Sequence, residues 1–162
     1  MKAVLISIRP EWCAKIASGE KTIEVRKTRP KLETPFKCYI YCTLPRYPHE
    51  DFIETDYPKP QFYGGGKVIG EFLCNQIIED HTFGLNEKFY SAACMSACDA
   101  AAYALQSPMY GWNISNLKIY DVPRELASLT GLRATRFGAA PYDIKRAPQS
   151  WCYVEETDND KT

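Results

Sequence analysis

The sequence lacks the features by which several classes of protein are recognised. No apolar run approaches the roughly 18 residues that a membrane-spanning helix requires. There are only two histidines, His49 and His81, and neither has further ligand residues at the spacing of a zinc site. The seven cysteines never show the C-x-x-C spacing of thiol redox motifs. We therefore expect no membrane association, no bound metal and no cofactor.

A recognisable secretion signal is also missing. The apolar stretch that follows Lys2 is short and is interrupted by Arg9, whereas a signal peptide has a longer apolar centre. Seven cysteines without such a signal indicate free thiols in a reducing compartment. These observations predict a cytoplasmic protein.

The chain carries no net charge, but its charges are unevenly spread. Residues 1–46 hold ten basic side chains against four acidic ones, a balance that permits nucleic-acid binding without establishing it. The 162 residues fit one domain, which we place at residues 1–156, followed by an acidic and disordered tail at residues 157–162. Residues 44–65 form a long connection rich in Pro, Tyr and acid, and loops of this length are commonly functional or mobile.

The hydrophobic pattern predicts both strands and helices. Pro10 suits the first position of a helix and Gly19 its end. Gly70 is expected to mark a bulge or a close backbone approach. The order strand, helix, strand, strand, loop, strand, helix, strand, strand favours an α+β fold, a small mixed β-barrel with flanking helices. The predicted strands are 3–8, 21–27, 36–43, 67–78, 112–120 and one ending at 154, the helices are 10–19 and 86–105, and 132–146 is expected to be irregular.

The stretch at residues 19–27, Gly-Glu-Lys-Thr-Ile-Glu-Val-Arg-Lys, is the most informative. On a strand, Glu24 and Arg26 point to one face and Ile23 and Val25 to the other, with Lys21 at the strand's mouth. Two interpretations remain open from spacing alone. The polar pair belongs either to a solvated face with an ion pair or to a lined pocket.

Five segments in this order resemble the ASCH family of the PUA-like β-barrel superfamily. Together they span residues 1–156, and the G-x-K-x-x-E-x-R element gains specificity from the later segments. They are the opening strand with Arg9-Pro10-Glu11, then Gly19-Glu20-Lys21-Thr22-Ile23-Glu24-Val25-Arg26, Val68-Ile69-Gly70-Glu71-Phe72, Tyr110-Gly111-Trp112 and Pro148-Gln149-Ser150-Trp151.

The resemblance implies a nucleic-acid-binding module. Its ligand would be RNA, other single-stranded nucleic acid or a single modified nucleotide, held in a cleft between the first helix and the barrel. Such a ligand needs an aromatic face, partners for the base edge and cations for phosphate. The ligand-binding candidates are Arg9, Lys21, Glu24, Arg26, Tyr110, Trp112, Ser150 and Trp151.

One branch of the family is an amidohydrolase that removes the acetyl group of acetylcytidine. The resemblance aligns its catalytic lysine with Lys21 and its catalytic glutamate with Glu71, while its nucleophilic threonine falls at Glu24. A glutamate cannot repeat the chemistry of an activated hydroxyl, although it can hold a water or pair with Lys21. If the protein is an enzyme, the catalytic candidates are therefore Lys21, Glu24 and Glu71.

Three functional classes follow. The first is the nucleic-acid-binding module. The second is a hydrolase acting on a modified nucleoside, or a weak ribonuclease that needs no metal. The third is a protein-interaction module that uses the loop at residues 44–65.

Overall fold

A computed structural model describes residues 1–44, 65–82, 85–105 and 107–157. Most of the predicted long loop and the tail from residue 158 onward lie outside the described residues. The strands are β1 (Lys2–Ile8), β2 (Ile23–Arg26), β3 (Phe36–Cys42), β4 (Lys67–Cys74), β5 (Ile77–Asp80), β6 (Met109–Asn113), β7 (Ser115–Arg124), β8 (Thr130–Thr135), β9 (Gly138–Asp143) and β10 (Trp151–Glu155). The helices are α1 (Pro10–Ala17), α2 (Glu87–Ala92) and α3 (Ala97–Ala104).

The described strands form two sheets. Seven of them make a large sheet in the order β7-β4-β3-β1-β10-β8-β9, in which only β1 and β3 run parallel. The other three make a small antiparallel sheet in the order β2-β6-β5. The α+β class is confirmed, but the sheets remain open and do not close into the expected barrel.

Three apolar clusters hold these layers together. The first lies on one face of the large sheet, under Cys13 and Ile16 of α1 and Trp112 of the small sheet. The second covers the opposite face of the large sheet, around Leu5 and Tyr39. The third joins the small sheet to α2 and α3. The small sheet is therefore the middle layer, with one face toward the large sheet and the other toward the helices.

The first helix and the bulge follow the sequence predictions. Helix α1 begins with Pro10, and Gly19 takes a φ of 80°, the left-handed conformation that glycine adopts without strain. Gly70 lies where the pairing of β4 shifts register, and a Cβ on it would meet the carbonyl oxygen of Lys118 at 2.5 Å. Both glycines are thus required by the backbone.

Two predicted strands are each divided in the structure. The segment 67–78 becomes β4 and β5, and the strand expected at 112–120 becomes β6 and β7. In each case the chain leaves one sheet and enters the other. Hydrophobic periodicity continues through such a crossing, because both halves face the same apolar layer.

The predicted helix 86–105 is also two helices. Asn86, the first residue of the predicted helix, caps α2 by accepting a hydrogen bond from the Phe89 N–H. The chain then breaks at Cys94, whose φ is 55°, and Ser96 caps α3 by accepting from the Asp99 N–H. Ser96 followed by Asp99 is a helix-start signal that the alanine-rich composition concealed.

The segment 132–146, expected to be irregular, contains most of a β-hairpin built from β8 and β9. Gly131 makes the pairing possible, because the ring of Tyr142 lies where a Cβ would stand, at 2.3 Å. A half-buried strand is recognised by alternating apolar and polar residues, and this alternation is absent where the small residues of the hairpin are exposed on both faces.

Four cysteines lie in the first core cluster: Cys13, Cys38, Cys42 and Cys74. Burial raises the pKa of Cys74 from its ordinary value of 9.0 to about 11. The folded state thus keeps this thiol protonated at a pH where the unfolded chain has already ionised it. The stability that this difference in pKa contributes is fully present below pH 9 and is lost as the pH rises from 9 to about 11.

Replacing Cys74 should therefore flatten the alkaline decline in stability. We expect Cys74→Ser to lower the free energy of unfolding at neutral pH. Between pH 9 and 11, the free energy of unfolding of this variant should decline less steeply than that of the wild type. The difference in slope should be at most about 1.4 kcal/mol per pH unit. Urea unfolding at several pH values measures it, with exposed Cys98→Ser as the matched control. Parallel slopes for wild type and Cys74→Ser would contradict this assignment.

Candidate functional site

Strand β2 places a carboxylate between two cations. Glu24 Oε1 lies 2.8 Å from an Arg26 guanidinium nitrogen, and Glu24 Oε2 lies 3.4 Å from Lys21 Nζ. Ile23 and Val25 alternate with this pair and pack toward the helices. Lys21 is 3% exposed and Glu24 is 6% exposed. Of the two interpretations of this strand, the solvated face is wrong, and the three predicted residues form a buried ionic cluster.

Lys21 is fixed by contacts from two further elements. Its ammonium donates a hydrogen bond of 2.6 Å to the Ala93 carbonyl, just after α2. It also lies 5.1 Å from the centre of the Trp12 ring on α1, a cation–π distance. Helix α1 and the break between α2 and α3 therefore hold the amine in place.

Arg26 joins the small sheet to the large one. It donates to the Ser7 carbonyl of β1 at 2.7 Å and to Ser150 Oγ at 3.3 Å. Ser7 in turn donates to the carbonyls of Pro148 and Ser150, which docks the segment before β10. The buried Arg26 Nε has no partner among the described residues. One buried donor of the cluster is thus left without an acceptor in the described part of the chain.

Burial dominates the electrostatics of Lys21. Removal from water lowers its pKa below the ordinary 10.5, Glu24 works in the opposite direction, and Arg26 makes a smaller lowering contribution. A buried lysine with a lowered pKa gives up its proton more readily than an exposed one. The amine therefore combines the geometry of a cation clamp with the easier deprotonation that a base requires.

The aromatic candidates have separate positions. Trp112 pairs with Glu24 across β2 and β6 and is fully buried between Phe36 and Trp151, so it is a core residue. Its indole N–H lacks a partner among the described residues. Trp151 is partly exposed and donates to Thr28 Oγ1 at 2.9 Å. Tyr110 pairs with Arg26 across the strands and is half-buried.

Sequence reasoning missed Tyr103 of α3. Lys27 Nζ lies 4.9 Å from the centre of its ring, a cation–π distance. Burial, the largest influence, raises the pKa of Tyr103. An isolated tyrosine on an alanine-rich helix gave no signal of this proximity. Trp12 of α1 and Ser7 of β1 also contact the cluster, and the sequence did not indicate either.

Glu71 does not join the cluster. It lies on the opposite face of the large sheet, where Tyr120 donates to one of its oxygens and Lys37 Nζ stands 3.4 Å from the other. Burial raises the pKa of Tyr120, and the hydrogen bond to Glu71 raises it further. Glu71 thus belongs to a second polar group, and a joint catalytic role with Lys21 has no geometric support.

Arg9 also lies outside the cluster. It is the residue before α1, is largely exposed and stands 4.0 Å from the Glu11 carboxylate.

In the described part of the chain, no group of three His, Cys, Asp or Glu side chains is arranged to hold a metal ion. No helix within residues 1–44, 65–82, 85–105 and 107–157 is long and apolar enough to cross a membrane.

Removing the central charge should destabilise the fold. Glu24→Gln leaves Lys21 and Arg26 buried beside each other without a counter-charge, and loss of one partner in a buried ionic group costs about 3–5 kcal/mol. We expect a decrease of that size in the free energy of unfolding, measured by urea titration. Glu20→Gln is the matched control, because Glu20 pairs with Lys15 on the surface and such pairs contribute about 0–1 kcal/mol. Equal losses in both variants would show that the buried cluster has no special structural role.

The fold has solved counterparts, although no protein-family model and no curated protein matches the sequence. The ASCH protein of Zymomonas mobilis is 19% identical, with a TM-score of 0.57 over 95% of this chain and 88% of that chain. Its tyrosine-to-phenylalanine variant is 18% identical, with a TM-score of 0.58 over 96% and 92%. Its serine-to-alanine variant is 18% identical, with a TM-score of 0.56 over 95% and 89%. The chain therefore has the fold of an ASCH domain.

Proposed function

We propose that this protein is a nucleic-acid-binding module that holds RNA, or a single modified nucleotide, at the cluster of Lys21, Glu24 and Arg26. The observation that carries the proposal is the unpartnered Nε of Arg26, a buried donor on a guanidinium already held by three partners. Buried donors in native proteins are nearly always satisfied, so an isolated one suggests an absent acceptor. A phosphate or a base-edge oxygen is an acceptor of the kind that a guanidinium prefers.

Charge supports the same proposal. With Lys21 protonated, the cluster holds two positive charges against one negative charge, and an exposed basic turn at Arg29 and Lys31 lies nearby in sequence. Lys21 and Glu24 are nearly closed to water, whereas Arg26 and its partner Ser150 are partly exposed, so a ligand would approach from their side. An anion that displaces water there would meet groups that need no reorganisation.

Replacing Lys21 should weaken RNA binding. We expect Lys21→Met to reduce affinity for a fluorescein-labelled 12-nucleotide oligouridine by about tenfold or more, since a charge-assisted hydrogen bond contributes about 1.5–3 kcal/mol. The slope of log affinity against log salt should become shallower by about 0.7 for each lost phosphate contact. Fluorescence anisotropy measures both quantities.

The matched control is Lys88→Met, which removes an exposed lysine of α2. It should leave both affinity and salt slope within twofold of the wild type. Absence of wild-type binding to RNA, single-stranded DNA and mononucleosides would overturn the proposal. A flat salt response would point to a neutral small ligand instead.

A hydrolase is the second candidate, and the lowered pKa of Lys21 is the observation that favours it. Glu24 alone would keep Lys21 charged, whereas burial is the larger effect on the pKa of Lys21. A general base near neutral pH needs such a shift. The opposing feature is Glu24 itself, because a carboxylate occupies the place where the amidohydrolase branch has a hydroxyl nucleophile.

Product analysis separates the two candidates. We expect the wild-type protein to release little acetate from acetylcytidine. A folded Glu24→Thr variant should gain a measurable rate of acetate release. Chromatography detects the cytidine formed from acetylcytidine, and gel electrophoresis detects cleavage of the labelled RNA. Rapid wild-type turnover that is lost in Lys21→Met and retained in Lys88→Met would establish the hydrolase in place of the binding module.

A further inference from the structure

The hairpin of β8 and β9 ends in an arm that projects from the large sheet. The arm comprises residues 134–139, all of which are exposed although their side chains alternate between two faces. Closer to the sheet, Gly131 and Ile144 are buried. The ends of β8 and β9 therefore extend beyond the packed layers, and the turn between them stands in solvent.

The turn of this arm is an ordered structure. The Phe137 N–H donates to Thr135 Oγ1 at 3.2 Å, and the same hydroxyl donates to the Gly138 carbonyl at 2.8 Å. Gly138 has a φ of 113°, which other residues rarely adopt. A ligand that binds this turn would need to immobilise little additional backbone.

The chemistry of the arm is basic and aromatic. Phe137 is 85% exposed, and the Arg136 guanidinium stacks 4.5 Å from the centre of its ring. Residues 130–142 contain no acidic side chain, and Arg133 adds a further positive charge on the face of Tyr142. Asp143, at the base, is the first acid. An exposed ring beside a guanidinium is the combination on which unpaired bases stack while the cation meets phosphate.

Strand register places the tip at the same end of the large sheet as Arg26. Tyr153 pairs with Leu132 in the antiparallel β10–β8 ladder, so continuing the register brings Trp151 level with Ala134. The corresponding β1–β10 ladder brings Ser7, which accepts from Arg26, level with Ser150. Strands β1 and β8 are two spacings apart, about 10 Å. A short strand of nucleic acid can therefore reach from the cluster to the arm.

We infer that the arm at residues 134–139 is a second contact for single-stranded nucleic acid, with Phe137 stacking on a base and Arg136 binding the adjacent phosphate. The inference rests on the proposed nucleic-acid binding at the buried cluster and extends it along the sheet edge. Pairing with a peptide strand is disfavoured, because Pro141 interrupts the N–H row of edge strand β9.

The test compares how the wild type and the arm variants bind a 12-nucleotide oligonucleotide and a mononucleotide. We expect Phe137→Ala to weaken binding of the 12-nucleotide oligouridine by about 5- to 100-fold, from loss of one base stack. Arg136→Gln should reduce the salt slope by about 0.7. Neither variant should alter the affinity for uridine monophosphate, which is measured by tryptophan fluorescence. Val122→Ala and Lys88→Gln remove an exposed apolar group and an exposed charge elsewhere and should leave both affinities unchanged.

The outcomes separate the arm from the buried cluster. Weaker 12-nucleotide binding in Phe137→Ala with no effect of Lys21→Met would support the arm and overturn the cluster. The reverse pattern would support the cluster and overturn the arm. If Phe137→Ala loses only binding to vesicles containing phosphatidylserine, the arm is a membrane contact and the inference is wrong. A preference for duplex DNA over single strands would likewise overturn base stacking by Phe137.

Discussion

The carboxylate of Glu24 is the contact on which the arrangement of the two sheets depends. It neutralises part of the charge of Lys21 and Arg26, and each of these cations then reaches a different layer. Lys21 binds the Ala93 carbonyl beside the helices, and Arg26 binds the Ser7 carbonyl of the large sheet. A buried ionic group of this kind contributes little net stability compared with apolar packing, but it does not tolerate the loss of one member. The group lies between the first and the third apolar clusters, where stability alone does not account for it.

Position within the fold turns this ionic group into a candidate site. The cluster lies where the small sheet meets the end of β1, and the segment before β10 docks there through Ser7 and Ser150. Burial makes the electrostatic interaction of each charge with a ligand stronger than it would be in water. The same burial lowers the pKa of Lys21. Binding and proton transfer are therefore the two candidate uses of this arrangement. The identity of residue 24 distinguishes them, since a carboxylate stabilises a clamp and a hydroxyl can serve as a nucleophile.

Much of the fold and part of the site can be predicted from local sequence signals. Pro10, Gly19 and Gly70 mark a helix start, a helix end and a bulge because each satisfies a backbone requirement of a few residues. The alternation in β2 predicts that Glu24 and Arg26 share a face. The crossings between sheets and the pairing of β8 with β9 depend on long-range contacts, which periodicity does not encode. For the same reason Tyr103 could not be found, and the resemblance grouped Glu71 with Lys21 although the two lie apart in the fold.

The arm and the cluster together suggest why a neutral protein can have a directional surface for an anion. The acidic and basic residues cancel over the whole chain, yet Arg26 binds Ser7 at the end of the large sheet toward which the arm with Arg136 extends. Long-range attraction is weak when net charge is zero, so binding there would depend on contacts within about 10 Å, the Debye length at 0.1 M salt. Stacking on Phe137 is nearly independent of salt, whereas the arginine contacts are not. Raising the salt concentration should therefore leave a residual affinity that depends on Phe137 and no longer on Arg136.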